Sequence, residues 1–420
     1  SMRSGAQVKI HGYKLAGLMA LDNNESGTGT NFEVTKEAPE PEAVGNQKTL
    51  VLLLKSKATD SEPFTVEKAH ELVFDGQFQN FMKEQSYEKI SFSGDVYGWY
   101  SIDRDIEDGC MLSFPYVNDI VKEYNIDLSD YDRIVYLLNN AGGGCSFVGK
   151  YPFTVNGITY DISQASMGTN RFDQPSGWGE QPFTWTNLDF VLSHEVGHSL
   201  GVVHANSWSC KNGGIINGDC LHIEYGNYYD AMGTTGYSLD YNAYFKHSLG
   251  WIPKNETATI EKSGTYTISP LESPGGVKMA MIKMSNGMFS PYVIEFRQAI
   301  GFDSNLNKND LASNQMGIFI NRIQKTEDPA TELIDMSPIT PISSSNNDSW
   351  PYSSYWYDTS KQVTLNLPEA LAETNASIIF SDPDRGISIG PVTAVSSNSI
   401  SFKVNIEPLS CLRQIPVITG

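Results

Sequence analysis

The feature that most constrains this chain is a cluster of histidines in residues 188–204, which reads LDFVLSHEVGHSLGVVH. His194 and His198 are four residues apart, so on a helix their imidazoles lie on one face and can reach a single ion. Gly201 can adopt the left-handed backbone conformation that ends a helix, which lets the chain turn and bring His204 to the same ion. Three protein ligands and one open position are typical of catalytic zinc. The spacing therefore predicts a zinc ion held by these three histidines.

Glu195, beside the first histidine, is placed to act as a general base on a water at that ion. A lone HExxH pattern arises by chance in many proteins, and histidines on a helix are often only polar residues. Here the glycine and the third histidine follow at the expected offsets, and Met232 comes later in the stretch YDAMG. The extended pattern followed by a methionine turn marks the metzincin peptidases.

The match can be narrowed to one group of metzincins. Residues 194–204, the stretch YDAMG, residues 242–243 and residues 249–251 together resemble the gametolysin family and its bacterial relatives. The resemblance is strongest over roughly residues 48–255. It implies that Met232 supports the floor of the site. Astacin-like and serralysin-like enzymes carry a tyrosine ligand two residues after the methionine, but Thr234 is found here, so no tyrosine ligand is expected.

The functional expectation is a secreted zinc endopeptidase. It would hydrolyse peptide bonds of extracellular or glycosylated proteins with a zinc-activated water and Glu195 as general base. The alternative is an adhesin, or a protein that binds glycans or proteins, with a vestigial protease domain. Surface aromatics of the C-terminal third would then bind the ligand: Trp350, Tyr352, Tyr355, Trp356 and Tyr357.

Composition excludes some partners and sets the expected compartment. The net charge of −20 argues against nucleic acid as the main partner. No apolar run reaches the ~18 residues of a transmembrane span, and no signal peptide is visible at the start of the chain. We expect an extracellular or cell-surface protein, monomeric by default.

The acidic loops 303–310 and 382–384 are possible calcium sites. Neither loop has a complete set of calcium ligands, so ordinary turns are the favoured interpretation.

Five cysteines leave at least one unpaired within a single chain. Cys210 and Cys220 flank a Gly/Asn-rich loop, and in an oxidising compartment a disulfide closing that loop is the favoured pairing. Cys110 with Cys145 is the second candidate.

The chain order predicts an α+β fold in three parts. Residues 1–47 are expected to be a tail or linker, or the remnant of a propeptide; residues 48–255 a metzincin catalytic domain; and residues 256–420 a β-sandwich-like region of one or two small domains. The catalytic part should hold a mixed twisted sheet with helices and the active-site helix. Its predicted strands are Thr49–Leu54, Ile90–Ile102, Arg133–Leu138 and Ile158–Met167, and its helices lie in residues 63–82 and 114–124.

Two further expectations concern the surroundings of the site. The resemblance implies that the strand before the active-site helix, in residues 158–168, is the sheet edge to which substrate adds as an extra strand. Between His204 and the methionine turn, the chain reads as a loop.

Overall fold

The computed structural model describes residues 7–10, 12–15, 18–21, 32–36 and 43–407, except for 104, 107–109, 111–115, 140, 142, 170–186, 211–214, 217–219, 228, 234–238, 284–289, 308–316, 325–328, 335 and 337–378. The chain divides into two compact units, residues 1–42 and 43–420. Two antiparallel strand pairs lie in the first unit, where the sequence predicts a tail: β1 (Gln7–Ile10) with β4 (Phe32–Lys36), and β2 (Gly12–Leu15) with β3 (Leu18–Leu21).

The second unit starts with a six-stranded mixed sheet. Its strands are β5 (Gly45–Ser56), β6 (Ile90–Ile102), β7 (Arg133–Leu138), β8 (Gly144–Ser146), β9 (Tyr151–Val155) and β10 (Ile158–Gly168). The order is β6-β5-β7-β10-β8, and β9 also pairs with β10. The first four strands in this order are parallel, whereas β8 and β9 run antiparallel to β10. All four strands predicted from the apolar and alternating patterns are present.

Among the described residues, five helices accompany these strands: α1 (Val66–His70), α2 (Gln77–Gln85), α3 (Tyr116–Glu123), α4 (Asn187–Leu200) and α5 (Ala243–Ser248). A π-helical turn (Glu71–Asp75) follows α1, and 3-10 turns lie at Leu128–Asp130, Lys254–Glu256 and Gly301–Asn307. The helix predicted over residues 63–82 is interrupted at Gly76, whose backbone is extended. None of the described helices combines the length and apolarity needed to cross a membrane.

Strand β5 shows why the sheet is covered on both faces. Leu50 to Leu54 are all fully buried. Val51 and Leu53 point into a core shared with α1, α2 and α4, whereas the alternate leucines point into a core shared with α3. A strand of unbroken apolar residues fits such a position, because successive side chains project to opposite faces.

Strands dominate the region after residue 255. A seven-stranded sheet has the order β12-β11-β18-β17-β16-β15-β13, and a four-stranded sheet has the order β14-β21-β20-β19. Their bounds are β11 (Ala205–Cys210), β12 (Cys220–Ile223), β13 (Thr257–Ile260), β14 (Gly264–Ile268), β15 (Met279–Ile282), β16 (Tyr292–Arg297), β17 (Gly317–Ile323), β18 (Thr331–Ile334), β19 (Phe380–Asp382), β20 (Ile387–Val395) and β21 (Ile400–Ile406). Side chains of both sheets, such as Ile294 and Phe402, share one hydrophobic core.

The fold is therefore α+β, with several sheets, few helices and a β-rich C-terminal region. The seven-stranded sheet combines strands from both sides of residue 255, since β11 pairs with β18. It also corrects one expectation: the segment between His204 and the methionine turn holds the β11–β12 hairpin instead of a loop. The alternation of apolar and polar residues in this segment is too short to distinguish a strand from a polar loop. Strand β18, which pairs with β11, also lies far away in the sequence.

The expectation that residues 158–168 form the sheet edge is also wrong. β10 is covered by β7 on one side and by β8 and β9 on the other. The sheet edge next to α4 is β8, which consists of only three residues from a glycine-rich stretch and gives no apolar pattern.

Candidate metal centre

Helix α4 carries the first two histidines from within the protein core. Leu192 and Val196 on this helix are buried in the core beneath the first sheet. His194 and His198 are also buried, each only 7% exposed, and their ring centroids are 4.9 Å apart. The four-residue spacing therefore places both imidazoles side by side, as the sequence predicts.

Gly201 brings the third histidine to this pair. Its φ of +110° lies in the left-handed region, and its backbone N–H donates to the His198 carbonyl at 2.8 Å as the helix ends. The chain then turns back, and the His204 ring centroid lies 4.8 Å from that of His198 and 5.5 Å from that of His194. Within the described part of the chain, one group of His, Cys, Asp or Glu side chains could hold a metal ion. It consists of these three histidines, whose ligand atoms lie within 4.8 Å of one another.

The hydrogen bonds of the three rings fix which nitrogen of each is left to bind an ion. His194 Nδ1 lies 2.8 Å from the Ala231 carbonyl, and His198 Nδ1 lies 2.8 Å from the Val202 carbonyl. Since a carbonyl oxygen only accepts, each Nδ1 carries the proton and each Nε2 keeps its lone pair. Such partners orient the ligands of metal sites and strengthen their basicity.

His204 completes the set through a carboxylate. Its Nδ1 lies 2.9 Å from Glu224 Oε1, so this ring also donates from Nδ1 and presents Nε2. Burial, and the positive charge of each protonated neighbour, lower the pKa of His194 far below its usual value and that of His198 to about 4. Burial lowers the pKa of His204 as well, although Glu224 opposes the shift. All three rings are thus neutral at physiological pH, as metal ligation requires.

Glu195 lies beside this group, buried and against the edge strand. The carboxyl is close to β8, because a Cβ added at Gly144 would lie 2.9 Å from Glu195 Oε1. Glu195 Oε2 is buried and has no hydrogen-bond partner among the described residues. Burial raises the pKa of the Glu195 carboxyl to about 8. A side chain with high proton affinity and a free oxygen suits a group that accepts and returns a proton.

The methionine loop, defined as residues 229–233, forms the floor beneath the helix. Met232 is fully buried, and a Cβ added at Gly197 would lie 2.5 Å from its Sδ. Tyr241 also lies under the helix, where its hydroxyl donates to the Ser193 carbonyl at 2.6 Å. Met232 therefore packs directly against helix α4, and Tyr241 is a core residue.

Two residues of the centre are missed by sequence reasoning, Glu224 and Tyr225. The Tyr225 ring centroid lies 3.6 Å from that of His204, and its φ is +58°, an uncommon conformation for a bulky residue. Its backbone N–H donates to Asn206 Oδ1 at 2.9 Å. Both residues directly follow β12, and antiparallel pairing of β12 with β11 returns them to His204. No spacing rule signals this, because the register of the hairpin decides it.

Two disulfides lie near these elements. Cys210–Cys220 links paired positions of the β11–β12 hairpin, and Cys110–Cys145 ties down the edge strand β8. Cys411 lies outside the described residues.

Two further histidines, His222 and His247, and the described residues of the acidic loops do not join the centre. His222 pairs with Glu332 at 2.7 Å, and His247 Nδ1 lies 2.9 Å from the Ile252 carbonyl. In the acidic loops, Asp303 pairs with Arg297 and Asp382 with Arg385; residues 308–310 lie outside the described part. Thr234 and the aromatic residues 350–357 also lie outside it.

The arrangement brings together three neutral imidazoles that could hold a metal ion and a buried carboxyl beside them. Comparison of the chain with protein-family models and with curated proteins gave no match.

Proposed function

We propose that this protein is a secreted zinc endopeptidase of the metzincin type, as its resemblance to the gametolysin family implies. The convergence of His194, His198 and His204 carries the proposal, since each Nδ1 donates to a protein oxygen and each Nε2 is left for one ion. Zinc fits this set best, because it accepts three imidazoles in a tetrahedral site with the fourth position open.

The chain's own residues divide the work of peptide hydrolysis. The three histidines would hold the ion through their Nε2 atoms. When bound, zinc supplies a Lewis acid that polarises a carbonyl and lowers the pKa of a water molecule. Glu195 takes the proton of the attacking water and delivers it to the leaving amine, and its free Oε2 leaves it available for this transfer.

The edge strand β8 supports a peptide as substrate. It pairs with β10 on one side and is the last strand of its sheet among the described residues. An extended peptide could add to its other side as a further strand through main-chain hydrogen bonds. The closeness of Gly144 to Glu195 would place the bond to be cleaved near the base.

The disulfides and the family resemblance support the expected location and substrate class. Two disulfides are typical of proteins from oxidising compartments, which favours secretion. Extracellular or glycosylated proteins are the substrate class that the family resemblance implies.

A zinc assay on the purified chain, paired with cleavage of a broad peptide library, tests this proposal. We expect stoichiometric zinc, cleavage at internal peptide bonds, and loss of cleavage with a chelator that is restored by added zinc. Absence of zinc after reconstitution would refute the metal centre. Zinc without cleavage of any peptide would refute the peptidase and leave only a metal-binding protein.

A further inference from the structure

The methionine loop touches the surroundings of all three histidines. Its Ala231 carbonyl accepts from His194. The Met232 carbonyl accepts at 2.9 Å from the backbone N–H of Ala205, the residue that follows the third ligand. The Met232 sulfur lies against Gly197, the residue before the second ligand. A shift of this loop would therefore move the three ligands relative to one another.

Strand β16 of the C-terminal region anchors the start of this loop. Arg297 is fully buried, and its Nη2 donates to the Tyr229 carbonyl at 3.1 Å and to the Asp240 carbonyl at 3.3 Å. Asp303 fixes the guanidinium through two bonds, of 2.5 Å to Nε and 2.6 Å to Nη2. Such a planar, two-bonded pair holds direction as well as distance, which a flexible lysine cannot reproduce.

Strand β18 anchors the middle of the loop. Asp230 accepts from the Met232 backbone N–H at 2.7 Å, and from Asn242 through its backbone N–H at 2.8 Å and its Nδ2 at 2.7 Å. The same Asn242 amide donates its second hydrogen to Thr331 Oγ1 at 3.0 Å. All of these residues are buried, so water does not compete for the bonds.

From these contacts we infer that the C-terminal β region is a working part of the metal centre, with Arg297 and Thr331 as positioning residues for the histidines. The region would set metal affinity from a distance, instead of serving only as a separate binding module. This inference rests on the proposed zinc site, and its test reads zinc affinity without needing any substrate.

The experiment compares three variants of the full chain by titrating zinc into the metal-free protein. Arg297→Lys keeps the positive charge but loses the planar guanidinium that makes two hydrogen bonds to Asp303. Thr331→Val keeps the shape of the side chain but loses the hydroxyl that accepts from Asn242. Tyr292→Phe is the matched control: it lies on the same strand as Arg297 and loses a buried bond of 2.7 Å, but that bond goes to Asp382 in the four-stranded sheet. Thermal unfolding of each metal-free variant records the general loss of stability.

We expect both positioning variants to bind zinc about tenfold more weakly, the lower end for residues behind metal ligands, while Tyr292→Phe binds it like the wild type. If Arg297→Lys does not fold, the isosteric Thr331→Val decides. Unchanged affinity in the folded variants, or an equal loss in all three, would overturn the inference. A wild-type chain that binds no zinc would instead refute the metal centre itself, and the inference with it.

Discussion

Gly197 and Met232 occupy adjoining space in which one more carbon atom does not fit. A Cβ at position 197 would lie 2.5 Å from the Met232 sulfur and 2.9 Å from the Tyr241 hydroxyl, closer than real Cβ atoms come to a neighbour. Both neighbours are fully buried, so neither can swing into solvent. This contact fixes the distance between helix α4, which carries two of the histidines, and the loop beneath it.

Gly197→Ala should therefore disturb the centre although alanine favours helices. The helix propensity gained is about 1 kcal/mol, whereas overpacking of a filled core costs about 1–3 kcal/mol. We expect a net loss of stability and weaker zinc binding, because the helix or the methionine loop must move. Chemical denaturation and zinc titration measure the two effects.

Gly264→Ala serves as the control for this change. It adds the same methyl group on strand β14, where the nearest contact would be an ordinary 3.6 Å to the Tyr266 ring. Its zinc affinity should match that of the wild type. Equal behaviour of the two alanine variants would contradict the packing account of the floor.

Glu224 provides a second prediction, because among the described residues it is the one side chain that holds the Nδ1 of a histidine of the centre. Glu224→Ala removes the acceptor of His204 Nδ1 and frees the ring to rotate. Loss of such a partner weakens metal binding by about 10- to 100-fold. Zinc titration is the measurement, with Glu71→Ala, an exposed glutamate paired with Lys68 on α1, as the control. Wild-type affinity in Glu224→Ala would show that the backbone alone holds this histidine.

The sequence predicts those features of the metal centre that depend only on residues close together in the chain. The spacing of His194 and His198, and the need for a positive φ at Gly201, are properties of a single helix and its end, so they could be predicted. Strands such as β5 and β7 could also be predicted, since an apolar run that is buried on both faces is a local signal.

The parts that could not be predicted depend on pairing between distant segments. Glu224 reaches His204 only through the register of the β11–β12 hairpin, and β18 pairs with β11 across more than a hundred residues. The register of two paired strands depends on which of their side chains are buried together in one core, and a single sequence does not show this. The edge position of β8 was missed for the same reason: whether a strand is an edge depends on the other strands of the sheet.

The carboxyl of Glu295, on β16 beside the methionine loop, should make the stability of the protein depend on pH. Burial raises the pKa of this carboxyl from 4.5 to about 7, with Arg297 opposing the rise and Asp230 adding to it. Because the folded pKa lies above the unfolded one, the stability linked to neutral Glu295 is complete below about pH 4.5 and is lost as pH rises through about 7.

Glu295→Gln stays neutral and should lack this loss. Relative to the wild type, the variant should gain up to about 3 kcal/mol in free energy of unfolding between acid and neutral pH. Urea denaturation of the metal-free protein across this range is the measurement, with the exposed Glu407→Gln as control. Parallel pH profiles for the wild type and Glu295→Gln would show that folding does not shift the pKa of Glu295.

Glu195, the proposed general base, gives the sharpest prediction for activity. Glu195→Gln keeps the size and burial of the side chain but removes its ability to accept a proton. The three Nε2 ligands and their partners are unchanged, so zinc content should equal that of the wild type. Turnover should fall by about 100- to 10,000-fold, the usual contribution of a positioned general base, with the substrate KM little altered. Glu67→Gln, on the surface of α1, should leave both values unchanged. Normal turnover in Glu195→Gln would assign proton transfer to another group, whereas loss of zinc would show that the carboxylate supports the metal instead of the reaction.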